Sequence, residues 1–73
     1  MPSKIEYTTI EFEMSHQKRP YGFGQWAYKV WADKEIFPGG FRVLRYVGMY
    51  SETKKWAMQY ARQSGAYRVV LQS

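Results

Sequence analysis

Apolar and polar residues alternate with a period of two along most of this chain and shift to a helical period once. From Ile5 to Met14 the residues Ile10, Phe12 and Met14 alternate with Glu11 and Glu13, the pattern of a half-buried strand. Ile5 and Tyr7 fall on the opposite parity, which predicts a bulge or a two-sided end near Thr8 and Thr9. Ser15 to Gly22 reads SHQKRPYG, a polar, basic stretch whose Pro20 and Gly22 are unsuited to a strand interior, so it predicts a hairpin loop. Phe23 to Ala32 then carries Trp26, Tyr28 and Val30 on one parity and Gln25, Lys29 and Trp31 on the other, and is expected to be the central strand.

Asp33 to Gly40 holds Pro38, Gly39 and Gly40, residues suited to a reversal, and predicts a second hairpin. In Phe41 to Met49, turning Val43 and Val47 inward would also bury Arg45 between them, whereas turning Leu44 and Tyr46 inward avoids that cost. Gly48 then lies on the inner face, where a missing side chain lets a helix come close. Ser51 is the expected N-cap of that helix, with Glu52 placed favourably against its dipole. Thr53, Trp56, Ala57, Tyr60, Ala61 and Ser64 form one helical stripe, with Lys54, Lys55, Gln59, Arg62 and Gln63 facing out and Gly65 closing the helix. Trp56 and Tyr60 are expected to be buried against Trp26, Tyr28, Leu44 and Tyr46. Ala66 to Gln72 alternates again, with Tyr67, Val69 and Leu71 on one face.

The predicted order is β-β-β-α-β, one α+β domain spanning 1–73: a mainly antiparallel sheet with one amphipathic helix packed on one face. Three strands form a meander, and the last returns to pair with an edge, strand 1 being the candidate, in either direction. A chain of 73 residues buries only about 60% of the surface its unfolded form exposes, which limits it to one small core. It contains no run of about 20 apolar residues, so no membrane helix is expected. No secretory signal pattern opens the sequence and it has no cysteine, so a cytoplasmic location is the expectation, without disulfides or thiolate sites.

Charge and aromatic content change the picture more. The chain has 11 Lys and Arg against 6 Asp and Glu, for a net +5. Residues 1–14 carry Lys4 against Glu6, Glu11 and Glu13, a net −2, which leaves +7 on the remainder. Such a basic surface favours acidic partners, nucleic acid foremost. The 3 Trp, 7 Tyr and 4 Phe exceed what one small core encloses, so some rings must reach the surface.

Little in the chain carries catalytic chemistry. His16, the single histidine, sits in a polar stretch and reads as a solvated turn residue. Glu11 and Glu13, about 7 Å apart on a strand face, suit an acid/base pair by spacing, but cross-strand pairing with Lys29 or Arg45 is the plainer role. Gly22 and Gly24 precede no helix, so they lack the context of a phosphate-binding loop. No enzymatic activity, metal, cofactor or small-molecule substrate is expected. The informative set is cationic and aromatic: Lys18 and Arg19 in the first loop, with Lys29, Trp31 and Arg45 on the face away from the helix. That face can track phosphates, stack unpaired bases or enter a duplex groove. Its apolar members Phe23, Trp31, Phe41, Val43 and Val47 could instead make a self-association patch.

The run GQWAYKVWAD, a glycine-containing turn, a further strand and SETKKWAMQYAR, together residues 22–62, resemble the arm-type DNA-binding domains of phage and transposon integrases. The resemblance implies a sheet inserted into the DNA major groove, with Gln25, Lys29, Trp31, Arg45, Lys18 and Arg19 as the DNA-facing set. The expected function is thus a small non-enzymatic, nucleic-acid-binding accessory protein of phage, plasmid or bacterial origin. A protein-interaction module or homodimer is the alternative.

Overall fold

The computed structural model describes residues 5–72. Lys4, counted above in the acidic segment, lies outside them. The elements are β1 (Glu6–Thr8), α1 (Ile10–His16), β2 (Phe23–Trp31), β3 (Phe41–Met49), α2 (Tyr50–Ser64) and β4 (Arg68–Leu71). The fold is α+β: an open four-stranded sheet in the order β1-β4-β2-β3, with α2 across one face, here called inner.

The hairpin β2–β3 is the part the alternation determines. Trp26, Tyr28 and Val30 point inward and are buried, and the register sets Tyr46 opposite Trp26 and Leu44 opposite Tyr28. In the turn, Asp33 C=O accepts from the amides of Ile36 and Phe37, both at 2.9 Å, and this folds Phe37 into the core beside Tyr60. Ala57 and Ala61 of α2 are fully buried, their small side chains setting the helix close to the sheet. The helix also comes close over Gly48, which is buried with φ +155°, where a Cβ would meet Thr53 Cγ2 at 3.6 Å and the Trp56 ring at 3.7 Å. Gly65 ends the helix with φ +74°, as its position predicts.

Several expectations are overturned. The strand from Ile5 to Met14 does not exist: a short strand stops at Thr8 and a helix follows, so the described residues form two helices. Thr8 Oγ1 accepts from the Ile10 amide at 3.2 Å, and Glu11 and Glu13 lie in the first turn, where the helix dipole favours them. The two glutamates therefore share no strand face with Lys29 or Arg45. Phe12 is the buried member of α1; it stacks on His16 at 4.3 Å and packs on Trp26 at 5.4 Å. Ser15 to Gly22 is no hairpin loop either, because β1 pairs with β4 and not with β2.

The meander expected of the first three strands is replaced by an insertion. β4 lies between β1 and β2, parallel to the former and antiparallel to the latter. This interior place explains why Val69, Val70 and Leu71 are all buried. Tyr67, expected to share a face with Val69 and Leu71, precedes the strand and is exposed. The helix α2 begins at Tyr50, with Met49 at its N-cap position, so Ser51 is not the cap. Tyr60 is only partly buried, and Trp56 is 43% exposed, lying at the margin of the stripe edge-on to Tyr46. Among the described residues, no helix is long and apolar enough to cross a membrane.

Candidate nucleic-acid interface

The outer face of the sheet is assembled by register alone. Along β2 it presents Phe23, Gln25, Ala27, Lys29 and Trp31, and opposite them β3 presents Met49, Val47, Arg45, Val43 and Phe41. β4 adds Arg68 beside Trp31 and Val70 beside Lys29. The strands β2, β3 and β4 contain four cations, Lys29, Arg42, Arg45 and Arg68, and no carboxylate. Three of these, Lys29, Arg45 and Arg68, lie on the outer face, while Arg42 points inward and donates to the Tyr60 hydroxyl at 2.8 Å.

The ammonium of Lys29 sits over two rings, 4.1 Å from the centroid of Phe41 and 5.0 Å from that of Trp31. Those rings pack on each other at 5.1 Å. The arrangement holds one positive charge in a fixed place against the sheet, where cation–π attraction replaces part of its hydration. It also means that Trp31 is half-covered and does not stand free as a stacking surface. Arg68 is less available, since it forms a 3.6 Å ion pair with Glu6.

At the centre of the face the small side chain of Ala27 leaves a hollow of about 310 Å³, bordered by Gln25, Arg45 and Val47. Its rim offers an amide that both donates and accepts, a guanidinium fork and apolar surface. Those are the donors and acceptors that read the edge of a base.

The residues singled out from the sequence divide into two groups. Gln25, Lys29, Trp31 and Arg45 share the outer face as expected. Lys18 and Arg19 lie with Phe12, His16 and Trp26 around a groove beside the open side of β2, which they share with Gln25, Phe23 and Ala27 of the outer face but not with Lys29, Trp31 or Arg45. Sequence reasoning missed Ala27 and Arg68, and took Phe23 only as part of an apolar patch. Phe23 is 74% exposed and is the free ring of this face. Strand parity was the signal for Ala27 and Phe23, whereas Arg68 depends on the place of β4, which no local pattern encodes.

The acid–base environment of the inner face is set by its tyrosines. Burial pushes the Tyr28 hydroxyl up to about 12, and burial likewise raises Tyr7, Tyr46 and Tyr50 above the ordinary tyrosine value. The Tyr7 and Tyr50 hydroxyls bond each other across the seam between β1 and α2, under the ammonium of Lys54 at 4.6 Å from the Tyr7 ring. These groups are structural and stay protonated at neutral pH. In comparisons with family models, curated proteins and solved structures, nothing matches the chain.

Proposed function

We propose that this domain binds nucleic acid through the outer face of its sheet, with Lys29, Arg45 and Arg68 along the phosphates and a base edge at the Ala27 hollow. The observation that carries the reading is the charge pattern: three cations against the single carboxylate of Glu6, which pairs with Arg68, on a face that also exposes Phe23. The resemblance of residues 22–62 to arm-type integrase domains points the same way and favours DNA. No reacting group is needed on this reading, and the role is that of an accessory protein. Because Lys18 and Arg19 line the groove at the Phe23–Gln25 end and not the stretch that carries Lys29 and Arg45, the phosphate count on the face is about three rather than the larger number that all the sequence candidates would give.

A titration of the domain with mixed-sequence oligonucleotides tests this. About three phosphate contacts make log K fall against log salt with a slope of roughly −3 on duplex and −2 on single strands. Lys29→Ala with Arg45→Ala flattens the slope by up to about 2 units. Absence of binding to either nucleic acid at tens of micromolar in about 50 mM salt removes the proposal.

A second reading rests on a different observation. Phe23, Phe41, Val47 and Met49 all expose apolar surface on this face, and β3 is a nine-residue edge strand. Such an edge invites pairing with another chain. Sedimentation over a range of concentrations discriminates: a salt-insensitive dimer assigns the face to self-association.

A further inference from the structure

Among the described residues, β2 is unpaired along half of one side. Its even-numbered residues direct their backbone groups toward β3, since Gly22 C=O accepts from the Tyr50 amide at 2.8 Å and Ala32 N–H donates to Gly40 C=O at 3.2 Å. Its odd-numbered residues face the other way: Ala27 C=O accepts from the Gln72 amide and Trp31 C=O from the Tyr67 amide, both at 2.9 Å. On that side β4 pairs only with Tyr28 to Trp31. Phe23 and Gln25 therefore aim N–H and C=O groups where no strand of the described residues lies.

Along this open edge runs a groove of about 610 Å³, closed on its far side by α1 and the loop that follows. Phe12 and Trp26 supply apolar wall, and His16, Lys18 and Arg19 supply polar and basic groups, with no carboxylate among the lining residues. Trp26 is 8% exposed, and its indole N–H is buried with no hydrogen-bond partner among the described residues. Buried donors of this kind are uncommon and costly.

We propose that the groove binds an extended acidic peptide, which adds to the open edge of β2 as a strand in line with β4. Alternating N–H and C=O groups along one edge are matched best by another extended backbone, and side chains of one parity would meet the Phe12 and Trp26 wall. Lys18 and Arg19 select acidic side chains on the incoming strand. A second copy fits poorly, because of its two edge strands β3 bears only cations, and β1 is three residues long with its one acid, Glu6, already paired with Arg68. This site shares Phe23, Gln25 and Ala27 with the outer face but takes its charge from Lys18 and Arg19 rather than from Lys29 and Arg45, so either assignment can fail alone.

The probe is a capped peptide of about eight residues in which glutamate alternates with valine, titrated into the full chain while amide exchange is followed by NMR. Binding should slow exchange of the Phe23 and Gln25 amides by about tenfold or more. Lys18→Ala with Arg19→Ala, both exposed and expected to leave the urea midpoint unchanged, should weaken it about tenfold. The same peptide N-methylated at alternate residues should not bind, having lost its backbone donors. The proposal is overturned if the peptide fails to bind at about 1 mM, or if a lysine–valine peptide binds equally well. It is also overturned if the two amides are already protected without peptide, gain protection as protein concentration rises, or are protected equally by an oligonucleotide.

Discussion

Thr53 shows how much one buried hydroxyl is asked to do. It is fully buried, donates to the Tyr50 carbonyl at 3.0 Å, and lies 2.7 Å from the Tyr28 hydroxyl. Its single proton is engaged with the carbonyl, so Tyr28 is the donor of the second bond. The two ways of removing this bond should therefore differ. Tyr28→Phe deletes the donor itself and should cost about 1 kcal/mol, whereas Thr53→Val leaves the Tyr28 hydroxyl buried without a partner and should cost about 1 to 3 kcal/mol. Urea unfolding of both variants checks the order; equal losses mean that the Tyr28 hydroxyl finds another partner. Gly48 answers to a different constraint. A Cβ there has room, with its nearest neighbours at ordinary contact distance, but φ +155° is costly for any other residue. Gly48→Ala should thus destabilise by about 1 to 3 kcal/mol through backbone strain alone, and a change within about 0.5 kcal/mol would show that the hairpin end relaxes.

At the scale of elements, the legible parts were those whose packing is local. In β2 and β3 the side-chain period is two and one face meets a helix, so parity placed Tyr28, Val30 and Leu44 inward and Gln25, Lys29, Trp31 and Arg45 outward. In the segment from Ile10 to Met14 the same alternation misled: on a helix Ile10 and Met14, four apart, share one face, while Phe12, two from each, points the opposite way. Met14 is in fact 76% exposed and Phe12 alone is buried. The run Thr8-Thr9-Ile10-Glu11, a T-x-x-E sequence before an apolar residue, was the cue for a helix start. The place of β4 had no local cue, since its partners are separated from it by most of the chain, and with it went Arg68 and the open edge of β2. Two predictions follow from how loosely the peripheral parts are held. Phe12 is the buried anchor of α1, so Phe12→Ala should raise amide exchange across Ile10–His16 while β2 and β3 keep their protection. Uniform loss across the sheet would mean that α1 belongs to the core unit. Trp56, with only part of its ring covered, should cost about 2 kcal/mol on truncation to Ala, less than the 3 to 5 kcal/mol of a fully buried ring.

For the whole molecule, the concentration of tyrosine at the inner face couples stability to alkaline pH. Tyr7, Tyr28, Tyr46 and Tyr50 are all raised chiefly by burial, Tyr28 to about 12. In the unfolded chain each ionises near the ordinary value of about 10. Above that pH the unfolded chain releases protons that the folded chain retains, so the folded state binds more protons and its stability must fall as pH rises. Below about pH 9 these tyrosines are protonated in both states, and the stability they contribute is present in full. Urea midpoints should accordingly hold steady through neutral pH and drop between about pH 10 and pH 12, each raised tyrosine adding up to about 1.4 kcal/mol per pH unit to the slope. Tyr28→Phe removes one such group and should make the decline shallower, although the variant starts less stable at pH 7. Tyrosinate absorbance of the native protein gives an independent reading, since these four hydroxyls should ionise above the ordinary tyrosine value while the chain stays folded. A midpoint that stays level to about pH 11, or four tyrosines that titrate near pH 10 in the folded protein, would show that water reaches the seam between α2 and the sheet.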